Sequence, residues 1–229
     1  MALRHAGRRV AVFLSGCGVY DGAEIHEASA ALVSITRAGA KPTIFAPNKA
    51  QMHVIDHTTG NEMKEERNVL LESARIARGD VKPMAEFAAD QFDALIVPGG
   101  FGAAKNLCDF AVKGADCTVD SEVEAAVRSF HDTKKPMGFC CIAPVIPAKL
   151  FKGKVTVGLE EGDDWPYAGT AEAIRTMGAT HEPHDLSSVC VDDGNNIVTS
   201  AAFMCNAPFH QIHDNVAAMV NTTLDRIKA

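Results

Sequence analysis

The sequence of 229 residues lacks the features typical of membrane proteins and nucleic-acid-binding proteins. No apolar run approaches the ~20 residues that a bilayer-spanning helix needs. Positive charge is in deficit, because 22 Lys and Arg stand against 29 Asp and Glu, which gives a net charge of −7 at pH 7. Excess negative charge disfavours binding to phosphate backbones or anionic lipid surfaces. The composition therefore argues against nucleic acid and membrane as partners.

The cysteines lack the spacing of a disulfide framework or a zinc site. The seven stand at positions 17, 108, 117, 140, 141, 190 and 205, with no C-x-x-C pair among them. Their number is odd, and two lie in apolar strand-like runs, which favours reduced thiols in a reducing intracellular compartment. We therefore predict neither a bound metal nor a cofactor. Repeats, low-complexity tracts and linkers are also absent, so residues 1–229 are predicted to form a single domain.

Apolar runs typical of buried strands alternate with helical patterns along the chain, which predicts an α/β fold with a doubly wound parallel sheet and helices on both of its faces. A turn at Asp192–Gly194 adds an antiparallel hairpin. The predicted strands are Val10–Leu14, Pro42–Ala46, Ala94–Val97, Met137–Cys140, Val155–Val157, Val189–Val191 and Asn196–Ser200. The predicted helices are Ile25–Ala38, Asn68–Arg78, Ser121–His131, Thr170–Met177 and His213–Ile227, with another that begins near Pro144.

A cysteine pair stands at a predicted strand-to-helix junction. Cys140 and Cys141 end a short apolar strand, and Pro144 lies where a helix can begin without losing a hydrogen bond. A thiol at such a junction faces the N-terminus of the helix, whose amides and dipole favour the nucleophilic thiolate. The alternative is that both cysteines are small buried hydrophobic residues.

Two other predicted strand ends carry groups that suit the same chemistry. Glu24 follows the first strand at the start of a helix, and Gly99-Gly100 follow the Ala94–Val97 strand. In an open parallel sheet these ends meet at one edge, where ligands bind. The amides of the glycine loop and of Ile142 would then flank the sulfur as an oxyanion hole, with a carboxyl group to move its proton. Taken alone, Glu24 could be an acidic residue that stabilises the first turn of a helix, and the two glycines could form an ordinary turn. Their occurrence together with the cysteine favours a functional site.

Four segments carry a family resemblance: Ser15–Glu27, Ile96–Leu107, Cys141–Pro144 and Trp165–Glu172. They resemble the ThiJ/PfpI branch of the class I glutamine amidotransferase-like superfamily, in particular its ElbB-type members and their mitochondrial eukaryotic relatives. The resemblance implies a flavodoxin-like fold, Cys141 as nucleophile with Glu24 as its partner, and Gly100 and Ile142 as oxyanion donors. It also implies a homodimer in the mitochondrial matrix or the cytoplasm. The short basic start of the chain is not predicted to be a transit peptide.

The sequence departs from the superfamily pattern at one position. Many members have a histidine soon after the helix that follows the cysteine, but Val157–Glu160 contains none. His210 and His213, at the start of the last helix, are the best-placed substitutes, and a solvated or capping role is the alternative for both. Cys17, near another strand end, is a second accessory candidate, with buried packing as its alternative.

The resemblance implies glyoxalase or deglycase chemistry on α-dicarbonyls such as methylglyoxal and glyoxal. In this hypothesis the Cys141 thiolate adds to the aldehyde, with a small-molecule dicarbonyl as substrate. A second hypothesis is a weakly catalytic redox or stress-response protein in which the thiol is oxidised to sulfinic acid. A third is an amidase or amidotransferase-type hydrolase, which the lack of a His-x-Glu segment disfavours.

Overall fold

The computed structural model describes residues 4–228, so residues 1–3, in the basic start of the chain, and residue 229 lie outside the described residues. The strands are Arg9–Phe13 (β1), Lys41–Ala46 (β2), Val81–Pro83 (β3), Ala94–Val97 (β4), Met137–Cys140 (β5), Lys154–Val155 (β6), Thr180–His181 (β7), Cys190–Asp192 (β8) and Ile197–Ser200 (β9). The helices are Ile25–Arg37 (α1), Val69–Ile76 (α2), Phe101–Lys105 (α3), Phe110–Lys113 (α4), Ser121–Asp132 (α5), Val145–Phe151 (α6), Thr170–Thr176 (α7) and Phe209–Asp225 (α8).

The central sheet has seven strands in the order β3-β2-β1-β4-β5-β9-β8. All neighbours are parallel except β8, which pairs antiparallel with β9 and forms the predicted hairpin. The chain moves outward from β1 to β3 and then returns to β4 on the other side of β1. This reversal brings the carboxyl ends of β1, β4 and β5 together at a topological switch point, where open α/β sheets bind ligands. The predicted flavodoxin-like, doubly wound fold is confirmed.

The strands at this switch point are the most deeply buried part of the molecule. Every residue of β4 and β5 is buried, because helices cover both faces of the sheet. This is why both strands are continuous apolar runs, and why their predicted and observed bounds agree. Helix α8 packs beside α1 and against β4, β5 and β9. The first turn of α1 is therefore held next to the end of β5.

The predicted strand Val155–Val157 is not part of this sheet. The structure has only Lys154–Val155 as a strand, and it pairs with β7 in a separate two-stranded parallel sheet. Beyond it, the Thr156 N–H donates to Thr199 Oγ1 and the Val157 N–H donates to His181 Nε2, so side chains replace the ladder partners. A two-residue strand is too short to give a sequence pattern, and β7 was not predicted for the same reason.

The ends of the helices follow local capping. Asp120 accepts from the N–H groups of Glu122 and Val123, as predicted for the start of α5. The last helix begins at Phe209, four residues earlier than the predicted His213, directly after Pro208. None of the helices within residues 4–228 is both long enough and apolar enough to cross a bilayer.

Candidate active site

Cys141 forms the turn between β5 and α6 in a strained backbone conformation. Its φ of 61° lies in the left-handed region, where a non-glycine residue costs about 1–2 kcal/mol. The Cys141 N–H donates to the Ser200 carbonyl at 3.0 Å, and this bond fixes the turn to the neighbouring strand β9. This backbone conformation places the sulfur at the carboxyl edge of the sheet, where a substrate can approach it.

The Cys141 sulfur lies among hydrogen-bonding groups from three separate segments. The backbone N–H groups of Gly100 and Ile142 lie near enough to it to lower the pKa of the thiol, and the carboxyl group of Glu27, which approaches Gly99 as the sulfur does, acts on it from the side of α1. Gly100 comes from the loop after β4, Ile142 follows the cysteine itself, and Glu27 lies on α1. The residue is only 7% exposed. The structure thus brings together the predicted Cys141, Gly100 and Ile142, with a different carboxyl group from the one predicted.

Glu27 is fully buried and held by backbone donors on both oxygens. Its Oε2 accepts from the Gly99 N–H at 2.9 Å, and its Oε1 accepts from the Phe203 N–H at 3.1 Å. The Cys140 sulfur lies 3.7 Å from the same Oε2. These contacts fix the carboxyl group against the Cys141 thiol, with no freedom to turn toward solvent. Glu27 therefore occupies the position that sequence analysis gave to Glu24.

The predicted pairing of Glu24 with the thiol is wrong, because the Glu24 carboxylate caps α1, whose first residue is Ile25 as predicted. Glu24 is thus the N-cap, and its Oε2 accepts from the Glu27 N–H at 2.7 Å. Its Oε1 lies 2.8 Å from His26 Nδ1. A residue in the N-cap position turns its side chain back over its own helix to satisfy a free N–H. Glu24 consequently acts on the site through Glu27.

A sequence signal for Glu27 existed in the periodicity of α1. Glu27, Ala31 and Ser34 are all buried, and their spacing places them on one face of the helix. Ile25, by contrast, is among the exposed large hydrophobic residues. A charged residue on the buried stripe of a helix is rare unless it has a partner, which makes it a candidate functional residue.

Burial is the largest influence on the ionisation of Glu27 and Cys141. It raises the pKa of the Glu27 carboxyl to about 7, and the negative charge of Glu24 adds to the effect. Burial also raises the pKa of the Cys141 thiol well above its ordinary value, as does the Glu27 charge, while the N–H groups of Gly100 and Ile142 oppose the rise. At neutral pH the thiol therefore holds its proton, and the Glu27 carboxyl beside it is about half ionised. This direction is opposite to the thiolate expected at the helix N-terminus, because burial of the sulfur outweighs the nearby N–H groups.

This shift predicts that the stability of the fold falls as pH rises. The pKa of the Glu27 carboxyl is about 7 in the folded protein, against 4.5 for a glutamate exposed to water. A raised carboxyl pKa gives stability that is complete below 4.5 and lost as pH rises through 7, here about 3 kcal/mol. Urea unfolding of wild type and Glu27→Gln at about pH 5 and pH 8 measures this loss. We expect the variant to lack it. Equal pH dependence in both proteins would contradict the assignment.

A cleft of about 250 Å³ opens onto the sulfur. Its walls are almost entirely apolar and come from the loops at the carboxyl edge of the sheet. The lining residues are Val19, Gly100, Phe101, Ala104, Phe110, Ala111, Cys141, Ile142, Tyr167, Thr170, Phe203 and Met204. Phe101 and Tyr167 meet edge to face across it, with ring centroids 5.8 Å apart. No histidine and no charged side chain lines the cleft within the described part of the chain.

The accessory candidates lie outside this cleft. His210 is exposed in the first turn of α8, and the Nδ1 of His213 lies 3.2 Å from Asp214 Oδ1. Cys17 lies near Glu72 and Arg75, and burial raises the pKa of its thiol. The last helix starts earlier than predicted, so its predicted first residues are displaced along it. The structure therefore supplies no imidazole beside Cys141 from His210 or His213, and no second thiol from Cys17.

Comparisons with known proteins agree with this geometry. Residues 8–210 match the DJ-1/PfpI family. The chain is 58% identical over 221 residues to the rat ES1 protein homolog, mitochondrial, covering 95% of this chain and 83% of that protein. It is 57% identical over 221 residues to the human glutamine amidotransferase-like class 1 domain-containing protein 3, mitochondrial, covering 95% and 82%.

A solved structure shows the same fold. The crystal structure of an isoprenoid biosynthesis protein with amidotransferase-like domain from Ehrlichia chaffeensis superposes with a TM-score of 0.88. The two sequences are 34% identical, and the match covers 97% of this chain and all of that one. A fold match alone shows architecture, but here the family match and the identity of the mammalian relatives extend over nearly the whole chain. The chain belongs to the DJ-1/PfpI family.

Proposed function

We propose that the protein is a cysteine-dependent enzyme of the glyoxalase or deglycase type that acts on α-dicarbonyls such as methylglyoxal and glyoxal, or on their adducts. The observation that carries the proposal is the contact of a thiol with a buried carboxyl group and two backbone N–H donors at the end of an apolar cleft. This set supplies a nucleophile, a base and two N–H donors for an oxyanion at one place.

The first step follows from the ionisation of the pair. As the Cys141 sulfur adds to the aldehyde carbon, its proton passes to the Glu27 carboxylate, whose pKa near 7 suits a base at neutral pH. The carbonyl oxygen gains the electron pair of the broken π bond, and the N–H groups of Gly100 and Ile142 stabilise it. Glu27 then returns the proton to this oxygen, which gives a neutral hemithioacetal.

The remaining steps need one group that moves a proton between adjacent carbons. The Glu27 carboxylate removes the hydrogen on the former aldehyde carbon as a proton while the neighbouring ketone oxygen takes up a proton, which gives an enediol. Glu27 then delivers its proton to the neighbouring carbon, and the hydroxyl on the former aldehyde carbon loses its proton as the new C=O bond forms. The two oxygen protons cancel, and the hemithioacetal of methylglyoxal becomes a lactoyl thioester. Water then cleaves the thioester, releasing lactate and restoring the thiol. With no histidine lining the cleft in residues 4–228, Glu27 performs both proton transfers at carbon.

We expect Cys141→Ser to lower methylglyoxal consumption and lactate formation by about a thousandfold or more, because an alcohol in this apolar site is a far weaker nucleophile. Cys140→Ser is the matched control, since the neighbouring sulfur contacts the same carboxyl group but lies outside the cleft. Lactate assays on the three purified proteins make the comparison. Wild type no faster than Cys141→Ser would refute the enzymatic proposal.

One observation favours the redox function as the second candidate: the cleft has no histidine among the described residues to assist proton transfer. In that case peroxide oxidises the Cys141 sulfur to the sulfinic acid, and the same N–H groups hold the sulfinate oxygens. Peroxide-treated wild type would then show two added oxygens on Cys141 by mass spectrometry, together with negligible lactate formation. The amidase alternative and the homodimer both stay predictions.

The names of the mammalian relatives support a mitochondrial location, which we also propose for this protein. The proposed chemistry needs a reduced thiol at Cys141. The seven cysteines are all free in the structure, consistent with such a compartment.

A further inference from the structure

Glu182, His184 and Cys190 form a second cluster of reactive side chains, in the segment that leads from β7 to β8. One potential ligand atom from each, a carboxylate oxygen, an imidazole nitrogen and the sulfur, lies within 4.8 Å of the other two. None of the three lines the cleft at Cys141. The mechanism above gives them no task.

Two of these side chains are already oriented toward each other. His184 Nε2 lies 2.9 Å from Glu182 Oε1, and His184 Nδ1 lies 2.9 Å from Ser188 Oγ. A hydrogen bond on one ring nitrogen fixes the orientation of the imidazole and directs the other nitrogen to a ligand. The Ser188 contact thus has the geometry of a support for a metal-bound histidine.

Cys190, the third side chain, lies on the buried side of the cluster. Cys190 is fully buried at the start of β8, where it pairs with Thr199 of β9. The side chains of His184 and Glu182 are 19% and 40% exposed, so the cluster is open to solvent on one side. A metal ion can therefore enter from solvent and meet the sulfur at the base of the site.

We propose that Glu182, His184 and Cys190 bind a divalent transition metal ion, with Zn²⁺ as the best match. Thiolate and imidazole ligands select zinc and its neighbours over magnesium and calcium, which prefer oxygen. Three protein ligands with one side open leave the fourth tetrahedral position to water. This inference differs from the sequence expectation, which considered only C-x-x-C spacing. The ligands follow the pattern Glu-x-His-x5-Cys instead.

Metal binding requires two local changes. Zinc–ligand bonds of about 2.0–2.3 Å require the three ligand atoms, which lie within 4.8 Å of one another, to take up positions around the ion. The Cys190 thiol proton, and any proton on His184 Nε2, pass to solvent as the metal–ligand bonds form. The Glu182–His184 contact is replaced by two bonds to the same ion. The short, partly exposed segment 182–189 can make this adjustment without moving the central sheet.

Lys154 is the competing cation. Its Nζ lies 3.0 Å from Glu182 Oε2, and its side chain is 40% exposed, as is that of Glu182. Because the exposed ammonium can turn into solvent, it weakens metal binding without preventing it. The proposal thus predicts that Lys154→Met binds the metal more tightly than wild type, since an adjacent positive charge is removed.

Titration of the purified protein with Co²⁺, a spectroscopic substitute for Zn²⁺, tests the site. We expect one ion per chain and a sulfur-to-cobalt charge-transfer band. Cys190→Ser should abolish the band, and His184→Ala should weaken binding by at least about a hundredfold. Ser188→Ala should weaken it by about tenfold, as for other residues that orient a ligand. Cys17→Ser and His213→Ala are matched controls from outside the cluster and should bind as wild type does.

A second measurement guards against variants that fail to fold. Excess Zn²⁺ should raise the midpoint of thermal unfolding in wild type and in Cys17→Ser, but not in Cys190→Ser, because only a native site stabilises the fold. A cobalt band that persists in Cys190→Ser would overturn the proposal, as would a wild type that shows neither band nor stabilisation. Neither readout depends on turnover at Cys141, so failure here leaves the proposed enzymatic function untouched.

Discussion

Glu27→Gln is expected to lower dicarbonyl turnover by about 10²- to 10³-fold, because it removes the base that accepts the Cys141 proton. In wild type, kcat/KM should rise with pH through an apparent pKa of about 7, where the Glu27 carboxyl ionises. The variant should lose that rise. Measuring kcat/KM and the rate of thiol alkylation from about pH 5 to pH 9 gives both results.

Glu24→Gln is the matched control, since it removes a carboxylate of equal size from the same turn. Glu24 does not hydrogen-bond to the sulfur, but its charge helps to raise the pKa of Glu27. The control should keep the pH-dependent rise and shift it to lower pH. If Glu24→Gln lost activity while Glu27→Gln kept it, the sequence prediction would be right and our interpretation of the geometry wrong.

Gly100→Ala is expected to destabilise the fold by about 3 kcal/mol or more and to abolish turnover. Gly100 has a φ of 88°, a conformation that L-residues rarely adopt. A Cβ there would also overlap the backbone nitrogen of Glu24 and the carbonyl oxygen of Gly22. Since both neighbours are backbone atoms, the loop must move to relieve the overlap, and the oxyanion-hole N–H moves with it. Urea unfolding and the lactate assay measure the two losses.

Gly79→Ala separates backbone strain from close contact. Gly79 has a nearly identical φ of 87°, but nothing lies within 4 Å of where its Cβ would be. Only the conformational cost remains there, so we expect a loss of about 1–2 kcal/mol with full activity. Equal destabilisation by the two substitutions would show that the close approach of the Gly100 loop to α1 contributes nothing to the fold.

The strands around the site could be predicted from the sequence because each one is buried on both faces. Ala94–Val97 and Met137–Cys140 are short runs without a polar side chain, and the structure keeps the predicted bounds of both. A short strand was predicted at Val155–Val157, where the structure has β6, but its partner β7 was not predicted, since a two-residue strand has no periodicity. The fold class depends on the long buried runs, so these misses did not affect it.

The sequence was sufficient to predict that the candidate site lies at the carboxyl edge of the sheet. The alternation of strands and helices places Cys141 and the Gly99-Gly100 loop at neighbouring strand ends, whatever the details of packing. The choice between Glu24 and Glu27 could not be made from this alternation, although the predicted and observed starts of α1 agree at Ile25. Glu24 is used as the helix cap, whereas Glu27 lies on the buried face of the helix, and the packing of that face brings its carboxyl group to the thiol.

The sequence by itself determined the sheet, the turn that carries the sulfur and the glycine loop beside it, because these follow from hydrophobic pattern and local backbone chemistry. Only the tertiary structure decided which carboxyl group contacts the thiol and which of the two holds the proton. Those properties depend on α1, the loop after β4 and the segment after β9, which together enclose the Glu27 carboxyl group. Burial of a charge is a collective effect of distant segments, and no local run of residues encodes it.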